Sequence, residues 1–395
     1  MLPQFLTDQY PLEQHLFLIP KYSLRLIGCD PESPKTYTLY IWAAINFINL
    51  ASCVTAELTF GIYNLSIDPL TALDALCPAA TSTMSLFKMI SIWMYRDEFS
   101  SLMERIRVLL LKQENSEPKN QLRRELFTLT TRLSAIVFFL AICTTTTFTI
   151  RPLVSNLFRY LSDLDYAHEM PFKLMLPQVL CRMPMYPITY IYIAWHGFIT
   201  PFSFVGSDCM FFSYCLYITA LLKCVQLDIT STLAELTDTD KNSSRCEQKL
   251  KLIIERHNEI SVLTERFSKI MAITTLSHFV SSSMIIGTSV VAILFLTGIG
   301  IVLYVVYAIC VTMELFLFCY GGSAVIESSQ EVSEEAYCSH WYKRDKNIQK
   351  MVLLLMLRAQ RPLVVKVPFF APSLPAFASI LRFTGSLIAL VKSFL

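Results

Sequence analysis

Glycine and charged residues are both scarce in this chain of 395 residues. It has 10 glycines, and Asp, Glu, Lys and Arg together make up 16% of it, against about 25% in ordinary soluble domains. Low charge combined with 54% hydrophobic residues excludes a disordered chain and leaves too few polar side chains to cover a soluble fold. The 33 Lys and Arg against 31 Asp and Glu lack the basic excess of a nucleic-acid-binding protein. A polytopic membrane protein remains.

Motifs for metal binding, disulfide frameworks and catalysis are also absent. The six histidines are scattered, and no HExxH or paired CxxC occurs, so we expect no metal and no cofactor. Of the 12 cysteines, we place only Cys181 in a predicted outer segment, so we expect no disulfide framework. A membrane enzyme would need a catalytic group of residues, such as His and Asp clustered at one membrane depth, and the sequence shows none.

Seven apolar stretches are long enough to cross a bilayer, which takes about 20 residues. The fifth and sixth come from one run of 44 residues without Asp, Glu, Lys or Arg, and Gly298 and Gly300 supply a turn between them. The predicted fold is therefore an all-α polytopic membrane protein with seven transmembrane helices. The predicted spans are Tyr37–Gly61, Pro69–Met94, Leu133–Ile150, Met183–Lys223, Ile270–Thr297, Ile301–Val325 and Phe369–Leu395.

The basic residues fall mainly on one side of these spans. The N-terminal segment and the 2–3, 4–5 and 6–7 loops hold 25 of the 33 Lys and Arg, and the opposite side holds five. The positive-inside rule then predicts a cytosolic N-terminus and an extracellular C-terminus. The sequon that begins at Asn64 lies in the outer 1–2 loop, so Asn64 is a candidate glycosylation site.

The 4–5 loop is predicted to be an amphipathic helix that runs into span 5. Apolar residues from Leu250 to Ile270 recur there at steps of three, four and seven, with charged residues between them. This apolar stripe, which includes Ile260 and Leu263, needs a partner. The partner is either another cytosolic helix of the same chain or a neighbouring subunit.

Three motifs near the C-terminus resemble those of the insect odorant receptor family. They are AYCSHWY at 336–342, LLLMLRAQRPL at 353–363 and FASILR at 377–382, and His257 in the loop helix also fits the family's pattern. The chain lacks the TYxxxxxQF-type ending of the gustatory branch. Its 4–5 loop is shorter than that of the family's general co-receptor, so the chain looks like an odour-tuning subunit.

The resemblance implies a ligand-gated cation channel rather than an enzyme, assembled as a heterotetramer with the co-receptor in the plasma membrane of a sensory dendrite. It also implies that a small volatile odorant binds in the outer half of the bundle and that membrane lipid surrounds it. The implied organisation is a cytosolic segment at 1–36, a six-helix ligand-binding bundle at 37–325 with cytosolic helical extensions at 95–130 and 224–269, cytosolic anchor helices at 326–368, and a pore-lining seventh helix at 369–395.

A small apolar ligand requires a concave apolar pocket with few polar groups. Within the threonine run at 144–147, Thr145 is the candidate donor to an odorant oxygen, and the alternative is bonding to its own helix backbone. For every candidate, plain helix packing is the other interpretation. The candidate ligand-binding residues are Leu76, Cys77, Ala80, Ala141, Thr145, Phe148, Tyr190, Ala194, Trp195, Phe198, Tyr304 and Tyr307.

The pore candidates lie in the seventh span. Arg382 is near its middle, where a charge is costly unless it faces water, so we place it in a pore or vestibule. Ile388, Val391 and Leu395 share one face and could form an apolar ring that gates by dewetting. The candidate assembly residues are Ile260, Leu263, Trp341 and Tyr342.

Two other classes of membrane protein are weighed against a channel subunit. An inverted-topology transporter predicts internal repeats and broken helices around a charged midplane site, and we find no repeat. A G-protein-coupled receptor has the opposite orientation, and the chain has neither a DRY motif after span 3 nor an NPxxY motif in span 7.

Overall fold

The computed structural model describes residues 11–111, 116–162, 165, 168–234, 240–295 and 299–393. Over these residues the chain is almost entirely helical, and the extended structure there is one isolated bridge between Val367 and Phe370. The helices are α1 (Leu12–His15), α2 (Leu18–Leu26), α3 (Tyr37–Asn64), α4 (Pro69–Met94), α5 (Arg96–Leu111), α6 (Glu117–Leu161), α7 (Tyr186–Ala234), α8 (Asp240–Phe295), α9 (Ile299–Cys338), α10 (Lys346–Ala359) and α11 (Leu374–Ser393), with short 3-10 turns at Gln178–Cys181 and Trp341–Lys343.

Six of these helices, α3, α4, α6, α7, α8 and α9, are long and apolar enough to cross a membrane. The apolar helix α11 corresponds to the seventh predicted span, so the expected all-α membrane fold is confirmed. Gly298 lies outside the described residues. Gly300 lies inside α9 rather than in a turn, because that helix already begins at Ile299.

The seventh predicted span starts five residues later than the apolar pattern indicated. We predicted a start at Phe369, whereas α11 begins at Leu374. Pro368 and Pro372 lack the backbone N–H that a helix interior needs, so the helix forms only after the second proline. Ser373 then caps α11, since its hydroxyl accepts from Ala376 N at 3.4 Å.

Three helices run well beyond the bilayer. Helix α8 has 56 residues and α7 has 49, or about 84 Å and 74 Å at 1.5 Å per residue, against about 30 Å for the hydrocarbon core. Helix α6 has 45 residues. The prediction that the 4–5 loop helix continues into span 5 is therefore confirmed, because one unbroken helix covers both.

Helix α7 is the central element of the bundle and packs against α2, α3, α4, α6, α8 and α9. Every residue from Pro201 to Leu222 is buried. The short N-terminal helix α2 lies directly on it at Gly206, where an added Cβ would come within 2.8 Å of Leu24. The absence of a side chain at that position lets the two helices approach closely.

The apolar stripe of the loop helix is covered by the chain itself. Ile260 and Leu263 are buried, and α8 packs with α7, α9 and α10. Of the two partners considered for the stripe, the structure gives other helices of the same chain. Neither residue is therefore available on the surface for a neighbouring subunit. Of the remaining assembly candidates, Trp341 is half-buried and Tyr342 is exposed.

Candidate ligand-binding site

An internal cavity of about 70 Å³ lies among α4, α6, α7 and α9. It is in the half of the bundle where α6 ends and α7 and α9 begin, which is the half predicted to be outer. Side chains from these four helices form its wall, and the connection between α6 and α7 adds Phe172. The lining residues are Pro78, Thr81, Ser82, Ala141, Thr144, Thr145, Phe148, Phe172, Gly197, Thr200, Pro201, Phe204, Tyr307, Cys310, Val311 and Glu314.

A proline inside α7 opens the helix backbone at this cavity. Pro201 has no N–H, so the carbonyl of Gly197 one turn earlier receives no intrahelical bond from it. Thr145 on α6 donates its hydroxyl to that carbonyl, with an O···O distance of 3.4 Å. The α6–α7 contact therefore satisfies a backbone acceptor that the proline releases.

Gly197 also makes room for the loop residue Phe172. A Cβ at position 197 would lie 2.8 Å from the Phe172 ring, closer than non-bonded carbon atoms approach. Phe172 stacks on Phe148 with ring centroids 5.5 Å apart. The connection between α6 and α7 is thus held over the cavity by aromatic packing.

Two tyrosines of α9 stand on the other side of Phe148. Tyr307 lines the cavity, and its hydroxyl donates to the carbonyl of Cys77 at 3.2 Å. Tyr304 donates to Asp74 Oδ1 at 2.8 Å. Both rings contact Phe148 edge-to-face, at centroid distances of 6.3 Å for Tyr307 and 6.4 Å for Tyr304.

A buried ion pair lies against one wall of the cavity. The Lys88 ammonium on α4 is 2.6 Å from Asp208 Oδ1 on α7 and 3.1 Å from His278 Nδ1 on α8. It also lies 3.3 Å from the ring centroid of Phe204, a lining residue. Both charged side chains are fully buried, as expected for charges within a membrane bundle, which pair with one another and avoid lipid.

Ser82, His196 and Glu57 have the composition of a hydrolase triad but not its geometry. Ser82 Oγ at 3.3 Å and Glu57 Oε1 at 3.2 Å both approach His196 Nε2. In the described part of the chain, Nδ1 of the same ring has no hydrogen-bond partner. A triad requires the acid on one ring nitrogen and the nucleophile on the other, so this arrangement does not activate the serine.

The threonine run divides according to its hydrogen bonds. Thr144, Thr146 and Thr147 each donate to a carbonyl four residues earlier on α6, at 2.7–2.9 Å, which is the local bonding considered for them. Thr145 instead bonds across to α7 and lines the cavity.

The structure brings four of the twelve ligand-binding candidates to the cavity wall: Ala141, Thr145, Phe148 and Tyr307. Tyr304 lies behind Phe148. Trp195 donates to Asn46 of α3 at 2.9 Å, so it points away from the cavity. The other candidates that are not lining residues are Leu76, Cys77, Ala80, Tyr190, Ala194 and Phe198.

The pore candidates fall at the end of the described chain. Arg382 is exposed on α11. Ile388 and Val391 belong to α11, but their side chains, and Leu395 altogether, lie outside the described residues. Asn64 is the last residue of α3, and its side-chain amide donates to the carbonyl of Phe60 at 2.8 Å.

The fold is that of a multi-pass helical membrane protein, and its bundle contains a largely apolar cavity. The model of the family described as 7tm Odorant receptor matches residues 68–385. The chain therefore belongs to the odorant receptor family, and it is a receptor rather than an enzyme.

Individual relatives agree with this assignment. The chain is 46% identical to Odorant receptor 24a of Drosophila melanogaster over the full length of both chains. It is 36% identical to Odorant receptor 10a of the same species, over 99% of this chain and 98% of that one. The odorant receptor coreceptor of Aedes aegypti is 29% identical over 150 residues, which is 36% of this chain and 30% of that protein.

The fold matches a solved structure along nearly its whole length. The olfactory receptor OR5 of Machilis hrabei, solved in complex with eugenol, superimposes with a TM-score of 0.81 over 98% of this chain and all of that one. The sequence identity is 16%, so this likeness concerns the fold.

Proposed function

We propose that this chain is the odour-binding subunit of a heteromeric, odorant-gated, non-selective cation channel, formed with the co-receptor in the plasma membrane of olfactory neurons. The observation that carries the proposal is the aromatic cavity of Phe148, Phe172 and Tyr307 in an odorant receptor fold. The OR5 structure of the same fold was solved with the small aromatic compound eugenol, which supports a small volatile ligand here.

The size of the cavity suggests how a ligand would act on the bundle. An engineered cavity of about 150 Å³ in another protein binds benzene, whereas this one encloses about 70 Å³. A volatile compound therefore enters only when lining side chains move apart. Such a ligand favours the expanded arrangement of the helices over the contracted one, and this differential affinity is what shifts a conformational equilibrium.

Contacts between α9 and the segment before α11 provide a route from the cavity to the proposed pore helix. Helix α9 carries Tyr307 at the cavity and Ser323 further along, and Ser323 Oγ accepts from Leu374 N at 2.9 Å. At Gly322, an added Cβ would lie 2.1 Å from the Pro372 carbonyl oxygen. Because α9 is in direct contact with Pro372 and Leu374, a shift of α9 displaces the start of α11 as well.

The aromatic side chains of α8 and α9 add a second contact to the same segment. Phe318 of α9 stacks on His278 at a centroid distance of 4.3 Å. Phe279 of α8 contacts Phe370, in the segment that leads into α11, with ring centroids 4.6 Å apart. These contacts support a pore helix that responds to the cavity, with Arg382, Ile388, Val391 and Leu395 as the residues proposed to face the conduction path.

The proposal places the N-terminus, the start of α6, the end of α7 and the start of α8 in the cytosol. The uneven distribution of Lys and Arg residues supports this orientation. Epitope tags at the two ends, stained without permeabilising the cells, test it. We expect surface staining of the C-terminal tag alone, and surface staining of an N-terminal tag would contradict the orientation.

Expression with and without a co-receptor, followed by patch recording against a panel of volatiles, tests the function itself. We expect ligand-evoked cation current without added nucleotide when the co-receptor is present. The matched pair of variants is Phe148→Ala, at the cavity wall, and Phe139→Ala, which is exposed on the same helix. The first should raise the half-maximal concentration by roughly tenfold to a hundredfold, since full burial of such a side chain contributes about 1.5–3 kcal/mol. Uptake of a volatile without current would instead indicate a transporter.

A further inference from the structure

Glu314 is an acidic side chain in the wall of an otherwise largely apolar cavity. It lies on α9, two turns beyond Tyr307, and it is buried. An acid inside a membrane bundle is costly unless it is paired or has a function. A buried acid is usually paired with a basic side chain. The Lys88 ammonium, however, is bonded to Asp208 at 2.6 Å.

The charges of the cluster decide in which form Glu314 is stable. Lys88 and Asp208 together are neutral, and His278 Nδ1, at 3.1 Å, faces the ammonium as an acceptor. A second carboxylate would add an uncompensated negative charge to this buried region, which is strongly unfavourable. Glu314 is therefore most stable as a neutral carboxylic acid, which can donate one hydrogen bond.

Among the residues that the structure describes, no hydrogen bond joins Glu314 to a strong acceptor. In the described part of the chain, the hydrogen bond that reaches Glu314 comes from Cys310 Sγ, 3.9 Å from Oε1. A thiol is a weak partner, and it leaves the acid proton unused. Since Glu314 lines the cavity, the position open to that proton is the cavity itself.

Building on the proposed odour-binding function, we propose that Glu314 determines the ligand class by donating a hydrogen bond to an acceptor atom of the odorant. The site then takes a compact compound with an apolar or aromatic body, which packs among Phe148, Phe172 and Phe204, and one carbonyl or similar acceptor at the Glu314 end. A hydrocarbon of the same size leaves the buried carboxyl unpaired and binds more weakly.

The test compares ethylbenzene with benzaldehyde, which have the same number of non-hydrogen atoms and differ in the acceptor. Ethylbenzene is the more hydrophobic of the two, so burial of apolar area alone would favour it. In the wild-type complex with the co-receptor, we expect benzaldehyde to have a half-maximal concentration at least about tenfold lower. Equal potency, or an advantage for ethylbenzene, would overturn the assignment.

Substitutions at Glu314 separate hydrogen bonding from structure. Glu314→Leu should weaken benzaldehyde about tenfold and leave ethylbenzene unchanged, whereas Glu314→Gln, whose amide still donates, should retain most of the preference. Glu314→Met replaces the leucine variant if that variant does not reach the cell surface. The control is Thr312→Val, which removes a hydroxyl from the same helix. That hydroxyl donates to the carbonyl of Ala308 at 2.7 Å, so this variant should retain the full preference for benzaldehyde. A preference that survives both apolar variants at position 314 would refute the role of Glu314.

Thermal stabilisation of the purified full chain by the same two compounds distinguishes failure of this inference from failure of the proposed channel. Stabilisation by benzaldehyde at about tenfold lower concentration, with no current in cells, would support Glu314 and count against the channel. If neither compound stabilises the chain or evokes current, the ligand class proposed here is wrong. Current evoked by other volatiles would still support the receptor function.

Discussion

The hydroxyl of Thr145 on α6 donates to the carbonyl of Gly197 on α7, which receives no bond from Pro201 because proline has no N–H. This contact joins two helices at the wall of the cavity. Since it satisfies a buried backbone acceptor, it fixes the distance between α6 and α7 at the point where a ligand would press them apart.

The first prediction concerns Thr145→Val, which keeps the shape of the side chain and removes its hydroxyl. Leaving the Gly197 carbonyl unpaired should cost about 1–3 kcal/mol and loosen the α6–α7 contact, so we expect altered half-maximal concentrations for all odorants. Thr147→Val is the matched control, because that hydroxyl is exposed and bonds its own helix at 2.8 Å. The measurement is the dose–response curve of each variant. A Thr145→Val curve identical to that of the wild type would show that the interhelical bond is unimportant for the response.

Much of this fold could be predicted from the sequence, but the orientation of α7 could not. Long apolar runs with few charges define membrane helices by length alone. Helix α7 is buried on all sides from Pro201 to Leu222, so no polar face indicates which of its residues meet the cavity. Phe204 of this stretch lines the cavity, and no pattern in the sequence distinguishes it from its buried neighbours.

Other lining residues carried a signal that could have been used. Pro78 and Pro201 lie within predicted spans, and prolines inside helices mark freed carbonyls and bends at functional cavities. Phe172 carried no such signal, because its contact with the bundle depends on how the α6–α7 connection folds back. Lys88 and Asp208 are far apart in the chain, and only the packing of α4 against α7 shows that they form a pair.

The second prediction uses the close approach of Phe172 to Gly197. Gly197→Ala places a methyl group 2.8 Å from the Phe172 ring, so the ring must move off the cavity. Overpacking of this kind costs about 1–3 kcal/mol, and we expect weaker odorant responses. Adding Phe172→Leu should relieve the clash and recover much of the response. Non-additive effects in this double-mutant cycle are the measurement, and strictly additive effects would contradict the contact.

The third prediction separates chain folding from subunit assembly. Ile260→Asp buries an unpaired charge at a position of α8 that is covered by the chain itself. We therefore expect low surface expression of this variant with or without the co-receptor. Tyr342→Ala changes an exposed side chain near the end of α9. If this surface binds the co-receptor, the variant should fold normally and co-purify less of it. Normal co-purification with Tyr342→Ala would remove that residue from the proposed interface.

The fourth prediction concerns the effect of acidic pH on the part of α8 that contains His257, which lies before the predicted span 5. Burial, with a smaller contribution from the nearby Arg358 guanidinium, lowers the pKa of His257 from 6.5 to about 4. Below pH 6.5 the unfolded chain takes up a proton that the folded chain does not bind, so stability falls between about pH 6.5 and pH 4. The full loss, reached below pH 4, is about 3 kcal/mol at 1.36 kcal/mol for each pKa unit.

Thermal unfolding of the purified chain at pH 7.5 and pH 5 measures this loss. His257→Leu removes the titrating group, and because Nε2 of this ring has no hydrogen-bond partner within the described structure, it breaks no bond at that atom. We expect the variant to lose less stability than the wild type between the two pH values. His340→Gln alters an exposed histidine in the same region and should behave as the wild type does. If His257→Leu shows the same pH dependence as the wild type, the acid sensitivity comes from other groups. The buried imidazole of His257 would then not limit stability at acidic pH.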